Sequence, residues 1–442
     1  MLRHTQTTTV VERVTILERA TAGETDSMIA AALGCSIWTV RKWRRRGQHL
    51  GRPGLTPALG RPTKAPLSTI PPALRATILA LRRAHPGWGP ETILAELRPD
   101  RLWSEQLLPS RSRIAALFKH EKLTRRYSRH SDLPTPKPSD QAHPHDEWEL
   151  DAQGWMMVDG IGKVCLVNIL DVVSRLKVES YPCLNTTSPP LETYQLTLRR
   201  AFLTTGLPHQ ISFDHGTVFF DNTTTSPFPT RLHLWLLALG VAVRFTRIRR
   251  PTDHAKIERM HQTMTLQALL GQHWADPQRL WAGLDARRDR LNQHIPSRML
   301  GGQAPLQAYP EAAHSGRHYR PEWEADLLNL NRVYQYLATG RWFRRVKADS
   351  CLTLGGTDYY IGKPLRGQAL EITFDLQQSV FLVNVIGTNK TIALPPQGMS
   401  VSDLMGELSR FLALPSYQLA LPMNQEAWRE LTYTQMLTGT DS

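Results

Sequence analysis

The sequence predicts a multidomain chain: all-α modules first, an α/β core next, and a unit of short β-strands towards the C-terminus. Three observations predict it. The apolar periodicity changes from helical before residue 126 to strand-like after residue 147. Pro- and Gly-rich stretches mark the changes of texture. The positive charge is confined to one end: residues 1–130 hold 23 Lys+Arg against 9 Asp+Glu, while residues 131–442 hold 30 of each. The whole net charge of +14 therefore sits in the first third.

Charge segregated in this way points to a polyanion-binding module joined to something else, and double-stranded DNA is the expected polyanion. No run of about 18 apolar residues suggests a membrane span. The stretch "MLRHTQTTTVVERV" lacks the apolar core of a signal peptide. Cys35, Cys165, Cys183 and Cys351 are far apart and form no CxxC pair, which excludes the familiar zinc and disulfide frameworks. A reduced, cytoplasmic, nucleoid-associated protein is expected.

Residues 1–50 read as a helix-turn-helix. "VVERVTILERATAG" is one helical run, and "TDSMIAAAL" is a second with Thr25 or Asp26 as N-cap. Gly34 suits a left-handed turn, and "SIWTVRKWRRRG" follows with Ser36 as cap. Ile37, Val40 and Trp43 are expected to face the small core, leaving Arg41, Lys42, Arg44, Arg45 and Arg46 outward for DNA. Residues 51–72 form a Gly/Pro linker with Gly-Arg-Pro at 51–53 and again at 60–62. In an extended segment, Arg52 and Arg61 can lie in a minor groove. Residues 73–130 read as a second helix-turn-helix, with Arg111, Arg113, Lys119, Arg125 and Arg126 as DNA contacts. Residues 131–147 are a second linker.

From residue 148 to 272 the order is three strands, helix, strand, helix, strand, helix. That order describes a ribonuclease H-like α/β core. Asp151 lies on its first strand, Asp214 ends the fourth, and Glu258 is in the first turns of the helix after the fifth. Those elements are neighbours in that fold, so three carboxylates can converge. Hard oxygen ligands suit Mg²⁺, with Mn²⁺ as a substitute, and two such ions can promote in-line phosphoryl transfer. Arg247, Arg249, Arg250 and Lys256 are expected to hold the DNA backbone beside Glu258. Asp159 reads as a turn residue, Asp171 as structural at a strand end and Asp221 as a loop residue.

The motifs "AHPGWGPETILAEL…LPSRSRIAALFKHEKL", "WELDAQG…VCLVNILDVVSRLKVE", "ISFDHGTVF" and "HAKIERMHQTM" together resemble the integrase-core transposases of bacterial insertion sequences and Mu-type transposons. Those share a DDE active site with retroviral integrases. The resemblance covers most of the chain and gives Asp151, Asp214 and Glu258 the roles of catalytic and metal-binding acids. It departs in three places. His215 stands where Asn is usual, His254-Ala255 replaces Asn-Gly, and 43 residues separate Asp214 from Glu258, more than is familiar in that family. The resemblance implies nicking and joining of mobile-element ends to target DNA by a homo-oligomer. A domesticated, non-catalytic DNA-binding protein and a ribonuclease H-type nuclease are the alternatives.

Residues 273–335 are expected to form a helical connector; residues 336–397 read as short strands that resemble the small β-barrel following the core of Mu-type transposases, in which Arg341, Arg344, Arg345 and Lys347 are candidate DNA contacts. Residues 398–442 form a tail. In related systems such a tail meets a partner AAA+ ATPase. The chain itself has no GxxxxGK loop.

Overall fold

The computed structural model describes residues 8–56, 67–68, 70–99, 102–103, 108–124, 140–222, 224–247 and 254–413. Arg61, Arg125, Arg126, Arg249, Arg250 and the tail beyond Ala413 lie outside the described residues. The chain divides into two compact units, Met1–Ser68 and Thr69–Ser442.

The first unit packs α1 (Val10–Thr21), α2 (Asp26–Leu33) and α3 (Ile37–Leu50) around Ile16, Ile29, Val40, Trp43 and Leu55. Thr9, Thr25 and Ser36 cap the three helices through their hydroxyl oxygens. Gly34 takes the left-handed conformation (φ +63°) that lets α2 stop and α3 start at once. Two expectations change here. Ile37 is 41% exposed rather than in the core; at 100° per residue it lies to one side of the buried stripe of Val40, Trp43 and Gly47. The segment after α3 is also not simply extended. A short 3-10 turn, Arg52–Leu55, folds back so that Leu55 is buried and its carbonyl accepts from Arg13 (2.9 Å). The Arg13 guanidinium in turn stacks on Trp43 at 3.9 Å.

The second unit begins with α4 (Pro72–Ala84), α5 (Pro90–Leu97) and α6 (Arg111–His120). The core follows as β1 (Glu147–Ala152), β2 (Met156–Val158), β3 (Gly162–Asp171), β4 (Lys177–Leu184), α7 (Leu191–Thr205), β5 (Gln210–Phe213), α8 (Arg231–Ala238), β6 (Ala242–Phe245) and α9 (Ala255–Met264). Its sheet runs β4-β3-β1-β5-β6, with β3 antiparallel to β1 and β4, and β5 and β6 parallel to β1. This strand order and these directions are those of the ribonuclease H-like topology anticipated from the element order. The first predicted strand is split. Residues 153–155 oppose only 165–166 on β3, so a one-residue bulge separates β1 from β2 immediately beyond Asp151.

Apolar clusters cover both sheet faces. On one side, Trp148, Leu150 and Val167 pack with Leu198, Phe202 and Trp235 of α7 and α8. On the other, Val164, Leu166 and Leu170 pack with Ile257, Met260 and Met264 of α9 and with Leu280 and Leu284 of α10 (Pro277–Gln293). The helical connector continues through α11 (Pro305–Ala308), α12 (Glu324–Leu327) and α13 (Leu330–Ala338). Glu324 is fully buried and is satisfied there by Arg199, Tyr319 and the Trp235 indole.

Beyond it lie β7 (Trp342–Arg345), β8 (Cys351–Leu354), β9 (Thr357–Tyr360), β10 (Ala369–Asp375), β11 (Val380–Val385), β12 (Thr391–Leu394), α14 (Val401–Met405) and α15 (Leu408–Leu412). Where a small barrel is expected, the described residues pair as an open sheet, β12-β11-β10-β7, and a separate β8-β9 hairpin. The left-handed Ser350 (φ +70°) turns the chain between β7 and β8, which do not pair. The inner face of this sheet, with Trp342, Ile372 and Phe381, belongs to the same apolar core as α7 and α8.

α4–α6 are seated on α10 and the turn after α9 through the "HPGWG" segment. Trp88 is sandwiched between His85 (3.7 Å) and the Arg287 guanidinium (4.1 Å), and its indole N–H donates to the Gln267 carbonyl (2.9 Å). Glu96 of α5 completes the seat by pairing with Arg287 and Arg290 of α10, so these two arginines and Gln267 hold both ends of the segment. Gly87 is obligatory here, since a Cβ would stand 1.7 Å from the Leu266 carbonyl oxygen. Gln267 and Leu266 belong to a π-helical turn, Thr265–Leu269, that prolongs α9.

Candidate active site

β1 alternates, so Trp148 and Leu150 face the main core while Glu147, Glu149 and Asp151 share the face that α9 covers. Three acids in a row on a partly covered strand need partners, and each has one. Glu147 pairs with Arg244 of β6 (Nε, 2.9 Å). Glu149 accepts the Ile257 backbone N–H at the start of α9 (2.9 Å). Burial raises the Glu149 carboxyl above the usual carboxylate range, and nearby Lys256 and His254 oppose that shift. Asp151 Oδ2 lies 3.0 Å from His261 Nε2, and His261 Nδ1 lies 2.7 Å from the amide of Asn168, the residue paired with Asp151 across β3.

Asp214 follows β5 directly, and β5 is the parallel neighbour of β1. One of its oxygens accepts from Gly216 N–H (2.9 Å), which fixes the turn. Glu258 lies in the first turn of α9, is exposed, and has no hydrogen-bond partner among the described residues. The three predicted acids thus sit on adjacent elements: β1, the end of β5, and the helix packed on β1 and β3. Their carboxylates suit a hard divalent cation in donor chemistry. Yet among the described residues no three His, Cys, Asp or Glu side chains are close enough to hold a metal ion. Asp151 is turned to His261 instead.

The predicted DNA-binding residues divide. Arg41, Lys42 and Arg45 are exposed on α3, and Arg111, Arg113 and Lys119 on α6. Arg44 is half-buried and bound to Asp26 (2.8 Å), which Arg41 also reaches (3.3 Å). Arg46 is half-buried against Trp43. Exposed Arg52 lies 3.8 Å from Glu18. Arg247 follows β6 and is exposed. Lys256 is half-buried, and desolvation pushes its ammonium below the usual lysine range against the opposing charges of nearby Glu149 and Glu147. It serves the acidic stripe of β1 rather than pointing freely outward. In the C-terminal sheet, Arg341 pairs with Glu371 (2.8 Å), Arg345 donates to the Gly367 carbonyl (2.9 Å), and Lys347 pairs with Asp358 (3.0 Å).

Arg344 has a structural task. It binds the Ser226 carbonyl (2.7 Å) and reaches Asp221 (3.5 Å), both in the long loop after Asp214. In the same loop Ser226 Oγ accepts from Phe343 N–H, the Pro227 carbonyl accepts from the Trp342 indole (3.1 Å), and Phe228 packs on Trp342 (4.8 Å). The loop between Asp214 and α8 therefore docks on the C-terminal sheet. Asp159 lies in the β2–β3 turn, and buried Asp171 accepts from His145 N–H (2.6 Å) and from both Ser174 donors.

Glu149, His261 and Asn168 were not singled out from the sequence, although a signal existed. Glu149 is two residues before Asp151 on the same strand face, and His261 is three residues after Glu258 on the same helix face.

No family model matches the sequence. Among solved structures, the chain is similar to the catalytic core domain of BIV integrase, at 17% identity over 38% of this chain and 95% of that one, TM-score 0.27. It is similar to the HTLV-2 integrase catalytic core domain in complex with magnesium (dimeric form), at 14% identity over 38% of this chain and 97% of that one, TM-score 0.29. The third is a simian T-cell lymphotropic virus intasome in complex with PP2A regulatory subunit B56 gamma, at 12% identity over 69% of this chain and 96% of the matched chain, TM-score 0.32. No helix among the described residues is long and apolar enough to cross a membrane.

Proposed function

We propose that this protein is a DNA strand transferase, a DDE-type transposase that binds the ends of a mobile element and joins them to target DNA. The observation that carries this reading is the placement of Asp151, Asp214 and Glu258 on touching elements: the middle strand β1, the end of its neighbour β5, and α9, which packs on β1. In the joining step a freed 3′-hydroxyl oxygen attacks a target phosphorus. One O–P bond forms, the target's own 3′ O–P bond breaks, and no external energy source is needed. Asp151, Asp214 and Glu258 would hold Mg²⁺ or Mn²⁺, two ions per site. When bound, the ions supply the positive charge that sharpens the attacking oxygen and steadies the leaving one. α2 and α3, like α5 and α6, act as helix-turn-helix readers of duplex DNA, and two copies of the chain are needed to hold two ends. The tail beyond Ala413 is the candidate contact for an AAA+ ATPase.

One observation favours a second reading. Asp151 is engaged by His261 and the acids are not gathered, as in a chain that has kept the fold and lost the chemistry. Strand transfer decides between them. The full chain is mixed with labelled duplexes from the inverted repeats flanking its gene and a supercoiled plasmid, with Mg²⁺ or Mn²⁺. Joined product that disappears in Glu258→Gln is expected. End binding with no joining under either metal would overturn the enzymatic reading in favour of the regulatory one. Cleavage without joining would favour a nuclease.

A further inference from the structure

The outer face of α3 carries one residue that charge alone does not explain. Trp38 is 79% exposed, whereas Trp43, five residues later, is 5% exposed beneath Arg13. Leaving an indole in water forfeits about 2–3 kcal/mol of burial. At 100° per residue, Val40, Trp43 and Gly47, which are buried, define the inner side of the helix. Trp38, Arg41, Lys42, Arg45 and His49 fall opposite, within an arc of about 100°. All five are exposed, and they line one shallow open groove along the helix. From Trp38 to His49 the stripe is about 16 Å long, enough to cross a major groove about 12 Å wide.

The cations and the indole differ in what they can read. Lys42 and His49 offer compact donors suited to phosphate, and Arg45, a planar fork that also suits phosphate, stands about 10 Å further along the helix than Trp38. Arg41 is partly neutralised by Asp26. Trp38 stands at the N-terminal end of the helix, the end that approaches base edges when such a helix enters the groove. It has a flat apolar face and a single N–H donor, with no acceptor and no charge. That chemistry gains little from phosphate. It matches the C5-methyl of thymine, with an adjacent acceptor for the N–H.

We propose that Trp38 is the sequence-reading residue of the first unit, recognising a thymine-containing step in the major groove, while Lys42, Arg45 and His49 supply affinity without sequence preference. This rests on the DNA-binding reading of α3. The test is selection from a random duplex library by the full-length wild type, Trp38→Ala, Trp38→Phe and the double variant Lys42→Ala/Arg45→Ala. Wild type should enrich a motif with a fixed T·A pair. Trp38→Ala should lose about tenfold in preference at that pair, with unchanged affinity for scrambled duplex and an unchanged melting temperature. Trp38→Phe should keep part of the preference. The double variant should weaken binding to every duplex alike and flatten the salt dependence by about two phosphate contacts. A Trp38→Ala motif identical to wild type overturns the proposal, as does wild-type binding with no motif. Absence of any duplex binding by wild type overturns the DNA-binding reading itself.

Discussion

At the scale of single residues, the candidate site is governed by parity. β1 must bury Trp148 and Leu150, so Glu147, Glu149 and Asp151 are forced onto the α9 face whatever else they do. Glu149 then becomes the anchor of the helix that bears Glu258, through the Ile257 N–H. Glu149→Gln keeps an acceptor there and should cost less than about 1 kcal/mol, while Glu149→Leu strands a buried N–H and should cost roughly 1–3 kcal/mol in chemical denaturation. His261 sets Asp151. His261→Ala should lower the rate of joining by roughly 10–100-fold, as loss of a ligand-orienting contact does, with end affinity within twofold. An equal loss in both would mean that His261 merely supports the fold.

The placement of the three acids was legible in the sequence, because strand and helix order alone put them on neighbouring elements. Their state was not. Whether Asp151 faces a metal or a histidine depends on a side chain 110 positions away: the helix period puts His261 on the face of Glu258, but only the packing of α9 on β1 brings it to Asp151. The same limit explains Lys256. Its place beside Glu258 is visible in the sequence, but its burial over Glu149 requires β1 and α9 to be packed.

At the scale of elements, a turn within the second helical module proves to be a joint. The "HPGWG" segment locks α4 and α5 onto the turn beyond α9. Gly87→Ala would drive a methyl group into the Leu266 carbonyl. It should destabilise the fold by roughly 1–3 kcal/mol, measured as a fall in melting temperature. α8 carries a different liability. His233 is buried between Phe245 and Tyr336, and burial lowers its imidazole to about 4. The unfolded chain takes up a proton near the ordinary value of about 6.5, so the stability tied to neutral His233 is intact above that pH. It is lost as pH falls from about 6.5 to 4, by up to about 3 kcal/mol. His233→Phe should therefore show a flatter melting temperature than wild type across that window, and parallel curves would refute the assignment. The helices were legible here because caps and periodicity are local. The bulge after Asp151 and the opening of the expected barrel were not, because both depend on which strand lies opposite.

At the scale of the whole molecule, the excess charge of the first third sets what binding to DNA should look like. The C-terminal sheet carries arginines too, but Arg341 and Arg345 are occupied within the protein. Replacing both with Ala should leave duplex affinity at moderate salt within about twofold, since such surface contacts contribute little. A tenfold loss would show that the sheet releases them to bind DNA.

The docked loop after Asp214 bears on how the chain can be cut. Phe228 is buried against Trp342 and Phe381, and the loop backbone leans on β7 for its hydrogen bonds. A fragment ending at α13 would leave this aromatic surface bare and strip the loop of its partners. The part of the chain from β1 to α13 is thus not a portable cassette. Expressed alone it should clump and precipitate, and fragments that extend through α14, whose Leu404 and Met405 carbonyls accept from Gln195 and Arg199, should be the shortest to stay in solution.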